Sequence, residues 1–202
     1  RIPNVCPGDG KQAPFDTYEP DFQEADMKKF LIVVDMQNDF IDGSLGTSQA
    51  QAIVRPAAER ILARRREGYQ ILATRDTHGE NYLNTSEGRH LPVSHCIRGT
   101  EGWEIHPEIA PLLEDCLILD KPSFGSLELA DTVASLAGAE EAEIEMLGLC
   151  TDICVISNAL LLKARLPEAA LSVVSSCCAG VTPESHEAAL LAMKMCQVEI
   201  LP

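Results

Sequence analysis

Basic charge is in short supply in this chain. Sixteen Lys and Arg face 31 Asp and Glu over 202 residues, a formal net charge of −15. That balance argues against nucleic acid and against an anionic membrane surface as partners. The acidic residues are dispersed over the expected helix faces, which suits solubility better than a binding tail. Although 46% of the residues are hydrophobic, no apolar run approaches the length of a membrane span, and no basic-apolar-small pattern of a secretory signal is present. No Gly-x-Gly-x-x-Gly follows the first apolar run, which counts against a dinucleotide fold. His-Glu-x-x-His and Cys-x-x-Cys are missing too, as are internal repeats and low-complexity tracts.

Eight cysteines are present, but they are not spaced as a disulfide framework. Cys6, Cys96, Cys116, Cys150, Cys154, Cys177, Cys178 and Cys196 mostly fall in or beside apolar segments of a chain long enough to build a full core. A reduced, cytoplasmic protein is expected. Cys150 and Cys154 are four residues apart, and a regulatory disulfide between them stays open at this point.

Residues 1–27 are polar, hold Pro3, Pro7, Pro14 and Pro20, and lack periodicity. They read as an irregular arm, with one domain over residues 28–202. From Phe30 onward strands and helices alternate. Strands are expected at Phe30–Val34, Gln70–Thr74, Cys116–Leu119, Glu143–Leu147, Leu171–Ser175 and Val198–Leu201. Helices are expected at Ala52–Glu67, 126–137, 152–165 and 183–195. Six strands alternating with helices predict an α/β fold, a doubly wound and mostly parallel sheet with helices on both faces. Between Arg75 and Pro111 regular signals are few, and so long an irregular segment in a compact domain is usually functional.

Parallel strands gather their carboxyl ends at one edge, where sites of such folds form. Three reactive side chains fall there. Asp35 ends Leu31-Ile-Val-Val, Lys121 ends Cys116-Leu-Ile-Leu-Asp, and Cys154 follows Ala142-Glu-Ile-Glu-Met-Leu-Gly148 at the start of the next helix. A thiolate near a helix N-terminus is stabilised. A free cysteine is more often only a small hydrophobe, Asp35 could merely cap a turn, and Lys121 could lie at the surface. Their functional reading is a nucleophile, a general base and a cation that orients them. In the irregular segment, Asp76-Thr-His78 precedes Glu87, His90 and His95. Three of the five histidines fall within 18 residues of one another beside Asp76, a donor set suited to zinc, iron or manganese.

Five stretches then resemble, in order, the isochorismatase-like cysteine hydrolases, most closely the nicotinamidases. They are Val34-Asp-Met-Gln-Asn-Asp-Phe40, Thr74-Arg-Asp-Thr-His78, His95-Cys-Ile-Arg-Gly-Thr-Glu-Gly-Trp103, Lys121-Pro-Ser-Phe124 and Gly148-Leu-Cys-Thr-Asp-Ile-Cys154. The likeness covers about residues 29–202 and implies a triad of Asp35, Lys121 and Cys154. It also implies a cis peptide before Cys150 and an oxyanion hole from the backbone N–H groups of Cys150 and Cys154. A divalent metal, zinc first and iron or manganese otherwise, is implied on Asp76, His78 and His95, with Glu87 as the variable ligand and His90 as its alternate. Phe40 and Phe124 would bind substrate. Pro92 stands where many nicotinamidases carry an aromatic, and Cys150 where a small aliphatic is commoner. The activity implied is hydrolysis of nicotinamide to nicotinic acid and ammonia through a thioester, by a homo-oligomer. Alternatives are hydrolysis of another small carboxamide or ureido compound, isochorismatase-type cleavage, or a non-enzymatic binding module.

Overall fold

The computed structural model describes residues 27–139 and 141–202. The arm expected over residues 1–27 lies outside the described residues except for Met27, whose side chain is exposed. Six strands form one sheet: β1 Lys28–Val34, β2 Gln70–Asp76, β3 Leu117–Lys121, β4 Ala142–Leu149, β5 Ala170–Ala179 and β6 Glu199–Leu201. Their order is β3-β2-β1-β4-β5-β6, and every pairing is parallel rather than mostly so. The helices are α1 Asn38–Ile41, α2 Ser48–Ala52, α3 Val54–Arg66, α4 Ser86–His90, α5 Leu127–Ala137, α6 Ile156–Arg165 and α7 Pro183–Met195.

Successive residues of a strand point to opposite faces, so a half-covered strand would alternate in exposure. Leu31, Ile32, Val33 and Val34 are all fully buried, so both faces of β1 are covered. The chain leaves β1 toward β2 on one side and enters β4 on the other. The strand order therefore reverses between β1 and β4, and a crevice opens outside their carboxyl ends. There Val34 pairs with Gly148. Gly148 sits at φ +121°, and a Cβ on it would lie 2.0 Å from the Val34 carbonyl oxygen, so only glycine lets the two strands close at this point.

Two boundaries depart from the sequence pattern. β5 runs to Ala179, well past the expected end at Ser175, with a bulge between Met146 and Gly148 of β4 shifting the register to pair Gly148 with Cys178. The helix expected over 152–165 begins instead as a π-type turn, Thr151–Val155, before α6. No long helix follows β2. Residues 77–116 hold short turns and α4, wrapped over the crevice.

Mid-strand, the buried Glu145 faces α3 and takes hydrogen bonds from Arg60 Nε at 2.7 Å and from Arg64 Nη2 at 2.7 Å. Burial alone would raise the Glu145 pKa, but the two guanidinium groups lower it. Its folded pKa is thus below the ordinary 4.5, and the stability it contributes is present above that value and lost as pH falls through the folded one. Glu145→Gln should cost about 3 kcal/mol at pH 7, since it removes the buried charge that Arg60 and Arg64 share and leaves Arg64 only the Glu67 carboxylate. In urea unfolding, the gap between wild type and variant should narrow as pH drops below 4.5.

Candidate active site and metal centre

Asp35 follows β1 in the left-handed region (φ 47°), where a non-glycine residue is uncommon and worth explaining. Thr74, its neighbour on β2, holds it there. The Asp35 N–H donates to the Thr74 carbonyl at 3.2 Å, and the Thr74 hydroxyl donates to Asp35 Oδ1 at 2.7 Å. Lys121 ends β3 with its side chain fully buried. Its ammonium lies 2.7 Å from Asp35 Oδ2, 3.2 Å from Asp76 Oδ1, 3.1 Å from the Ser123 carbonyl and 3.3 Å from Cys154 Sγ. The contact to Asp35 Oδ2 is an ion pair without hydrogen-bond alignment, so that oxygen keeps a lone pair unengaged.

A single ammonium between two buried carboxylates explains the electrostatics. Burial raises the Asp35 pKa above its usual value, opposed by Lys121 and reinforced by Asp76. For Lys121, burial works downward, but Asp35, Cys154 and Asp76 hold its pKa well above normal. Burial pushes the Cys154 thiol well up, Asp35 adds to this, and Lys121 only partly opposes it. Burial thus opposes the stabilisation that a helix N-terminus offers a thiolate at Cys154. Cys154 lies in the π-type turn ahead of α6, fully desolvated, and needs a base to lose its proton.

The turn preceding Cys154 contains a cis peptide between Leu149 and Cys150, at the position the family likeness indicates. Asn158, one helical turn on, donates from Nδ2 to the Cys154 carbonyl at 2.8 Å and accepts from the Ser126 N–H at 2.9 Å, tying the turn to the start of α5. Cys150 and Cys154 are both free thiols, as are the five other described cysteines.

Beside this cluster, one ligand atom each from Asp76, His78, Glu87 and His95 lie within 4.8 Å of one another. His78 Nε2 is 2.8 Å from Asp76 Oδ2, yet it is buried and makes no aligned hydrogen bond. Two polar atoms crowded together without bonding each other point at a common centre. His95 Nδ1 lies 2.8 Å from the Val93 carbonyl, which only accepts, so Nδ1 carries a proton and Nε2 is the nitrogen that faces Asp76 and Glu87. Burial would lower the His95 pKa, but Asp76 and Glu87 raise it to about 10. Burial would likewise raise Asp76, whereas His78, His95 and Lys121 hold it far below the carboxylate range. A site that attracts a proton this strongly suits a cation with the same nitrogen and oxygen donors. Exposed His90 turns away, its Nδ1 2.8 Å from the Ser86 carbonyl, so Glu87 and not His90 joins the group.

Cys154 and the four metal donors line a single cavity of about 730 Å³, with Asp35 and Lys121 buried behind the sulfur. Phe40 and Phe124 line it as expected, Phe40 buried beside His95 with ring centroids 5.6 Å apart, Phe124 half exposed at the rim. Four residues around the site escaped the sequence reading: Gln37, Thr74, Trp103 and Asn158. Thr74 was detectable from register, since it stands on β2 directly opposite Val34. Asn158 was signalled by its polarity on an apolar stripe four residues after Cys154.

Buried charge gathered so densely at one edge of a parallel sheet defines an enzyme, and the thiol at its centre makes the class that of α/β cysteine hydrolases. More narrowly, the chain belongs to the isochorismatase family, since the family model described as an isochorismatase domain matches residues 29–201. It is 27% identical over 183 residues to a nicotinamidase/pyrazinamidase of Mycobacterium tuberculosis, covering 85% of this chain and 97% of that protein. A pyrazinamidase of Pyrococcus horikoshii, solved in complex with zinc, superposes with a TM-score of 0.72 at 28% identity, over 86% of this chain and 98% of that one. An N-carbamoylsarcosine amidase of Thermoplasma acidophilum superposes with a TM-score of 0.71 at 26% identity, over 87% and 96%.

Proposed function

We propose that the protein is a metal-assisted nicotinamidase that hydrolyses nicotinamide to nicotinic acid and ammonia. The observation that carries this reading is a thiol, Cys154, backed by buried Lys121 and Asp35, sharing one cavity with a four-donor metal group. Asp35, whose pKa is raised by burial, accepts the Cys154 proton. The thiolate adds to the carboxamide carbon while the backbone N–H groups of Cys150 and Cys154 stabilise the oxyanion. Asp35 returns the proton to departing ammonia, then deprotonates the water that hydrolyses the thioester. Lys121 stays protonated throughout and holds Asp35 and the sulfur in register. A divalent ion on Asp76, His78, Glu87 and His95, zinc by analogy with the Pyrococcus horikoshii neighbour, supplies a Lewis-acidic anchor for the substrate ring. Phe40 and Phe124 flank that ring.

A second reading, hydrolysis of a ureido or other small amide, is favoured by the N-carbamoylsarcosine amidase neighbour. An isochorismatase-type reaction or a pure binding role would leave the buried thiol-ammonium pair without a task. Among the described residues no helix is long and apolar enough to cross a membrane. A cytoplasmic location follows from a nucleophile that must stay reduced. Self-association is proposed too, with exposed Leu191 and Met195 on α7 as apolar surface for it.

The test is ammonia release from nicotinamide, with and without a chelator. Release that drops at least about tenfold on metal removal is expected. Release only from N-carbamoyl substrates would select the second reading, and none from any amide would overturn both.

A further inference from the structure

The stretch just after Asp35 sends three consecutive polar side chains away from the thiol and into the irregular segment that carries the metal donors. Gln37 is fully buried. Its Oε1 accepts from the Asp76 N–H at 2.7 Å, and its Nε2 donates to the Asp76 carbonyl at 2.9 Å and the Trp103 carbonyl at 2.8 Å. A side-chain amide thereby pairs with Asp76 as a neighbouring strand would, where the sheet has run out. Asn38 donates to the Glu101 carbonyl at 2.7 Å. Asp39 Oδ2 accepts from the Cys96 N–H at 2.8 Å, one residue past His95, while its Oδ1 accepts from Ser44.

The far side of each contact is built to receive it. Cys96 sits in the left-handed region at φ 48°, a conformation that turns its N–H away from the path of an ordinary extended chain. Gly102 leaves room for the carboxylate, since a Cβ there would lie 2.1 Å from Asp39 Oδ2. Trp103 is fixed in turn by its indole N–H donating to Thr77 at 2.8 Å, and its ring is covered by the Arg75 guanidinium at 3.6 Å.

We infer that Gln37 and Asp39 are positioning residues for the metal donors: Gln37 fixes the backbone of Asp76, and Asp39 fixes the backbone beside His95. The inference rests on the proposed metal site. It also assigns a task to the segment following Asp35, whose side chains reach neither the thiol nor the ammonium. Because donor groups must be held to within a fraction of an ångström, loosening their backbone weakens the ion more than the fold.

The experiment is zinc titration of chelator-stripped protein against a competing indicator, with thermal unfolding alongside. Wild type should bind one equivalent. Gln37→Ala and Asp39→Asn should each bind about 10- to 100-fold more weakly while remaining folded. Ile61→Ala, on α3 and far from the donors, should lower the melting temperature with unchanged zinc affinity. Should Gln37→Ala fail to fold, Asp39→Asn carries the test, since it keeps shape and one accepting oxygen. Wild type without stoichiometric zinc would overturn the metal site itself. Tight zinc binding in wild type and equally tight binding in both variants would overturn only the positioning role.

Discussion

Replacing Cys154 with alanine should reduce amide turnover by about 10⁴-fold or more, with zinc affinity and thermal stability close to wild type. The size follows from what the sulfur does. Cys154 is the thiol that the Lys121 ammonium contacts, and a nucleophile's loss typically removes nearly all acceleration beyond what binding and the oxyanion donors supply. Stability should change little because Lys121 keeps Asp35, Asp76 and the Ser123 carbonyl as partners when the sulfur is gone. Zinc affinity should hold because none of the four donors bonds to Cys154. Ammonia release, zinc titration and calorimetry on one preparation check all three. A variant that keeps more than a few per cent of wild-type turnover would show that water, not the thiol, attacks the amide.

How much of this was legible beforehand depended on which physical signal a residue left in the chain. Asp35 and Lys121 close apolar runs and Cys154 opens the turn after one, and in a parallel sheet that places all three at one edge. The metal donors were legible as a cluster of histidines in an aperiodic stretch, and Glu87 was preferred to His90 only through the family likeness, since the chain pattern alone does not decide between them. The choice depends on α4, a single short helix whose Thr85 cap accepts from the Gly88 N–H and sets which side chain faces inward. Gln37 was opaque for a different reason. Its partners are backbone groups 39 and 66 residues away, and a backbone hydrogen bond has no residue-type signature. An acid to take the Cys154 proton was legible from Asp35 at the same edge, but the burial that opposes the local helix dipole was not, because it comes from elements far apart in the chain.

The same buried charges make Lys121→Met the substitution with the largest expected effect on stability, about 3–5 kcal/mol. The ammonium is what allows two carboxylates to share a dry site. With it gone, Asp35 loses its ion-pair partner and Asp76 is left with the histidines, and methionine fills the volume but restores no charge. Turnover should vanish as well, since the sulfur loses its partner and Asp35 its orientation. A double-mutant cycle separates the two consequences. Asp35→Asn removes one of the stranded charges, so Asp35→Asn combined with Lys121→Met should be more stable in urea unfolding than Lys121→Met alone, while turnover stays absent. Strict additivity of the two losses would mean that Asp35 and Lys121 are not coupled, against the 2.7 Å that separates them. Lys121→Arg should not rescue activity, because a fully buried pocket shaped for a compact ammonium has no room for a planar guanidinium.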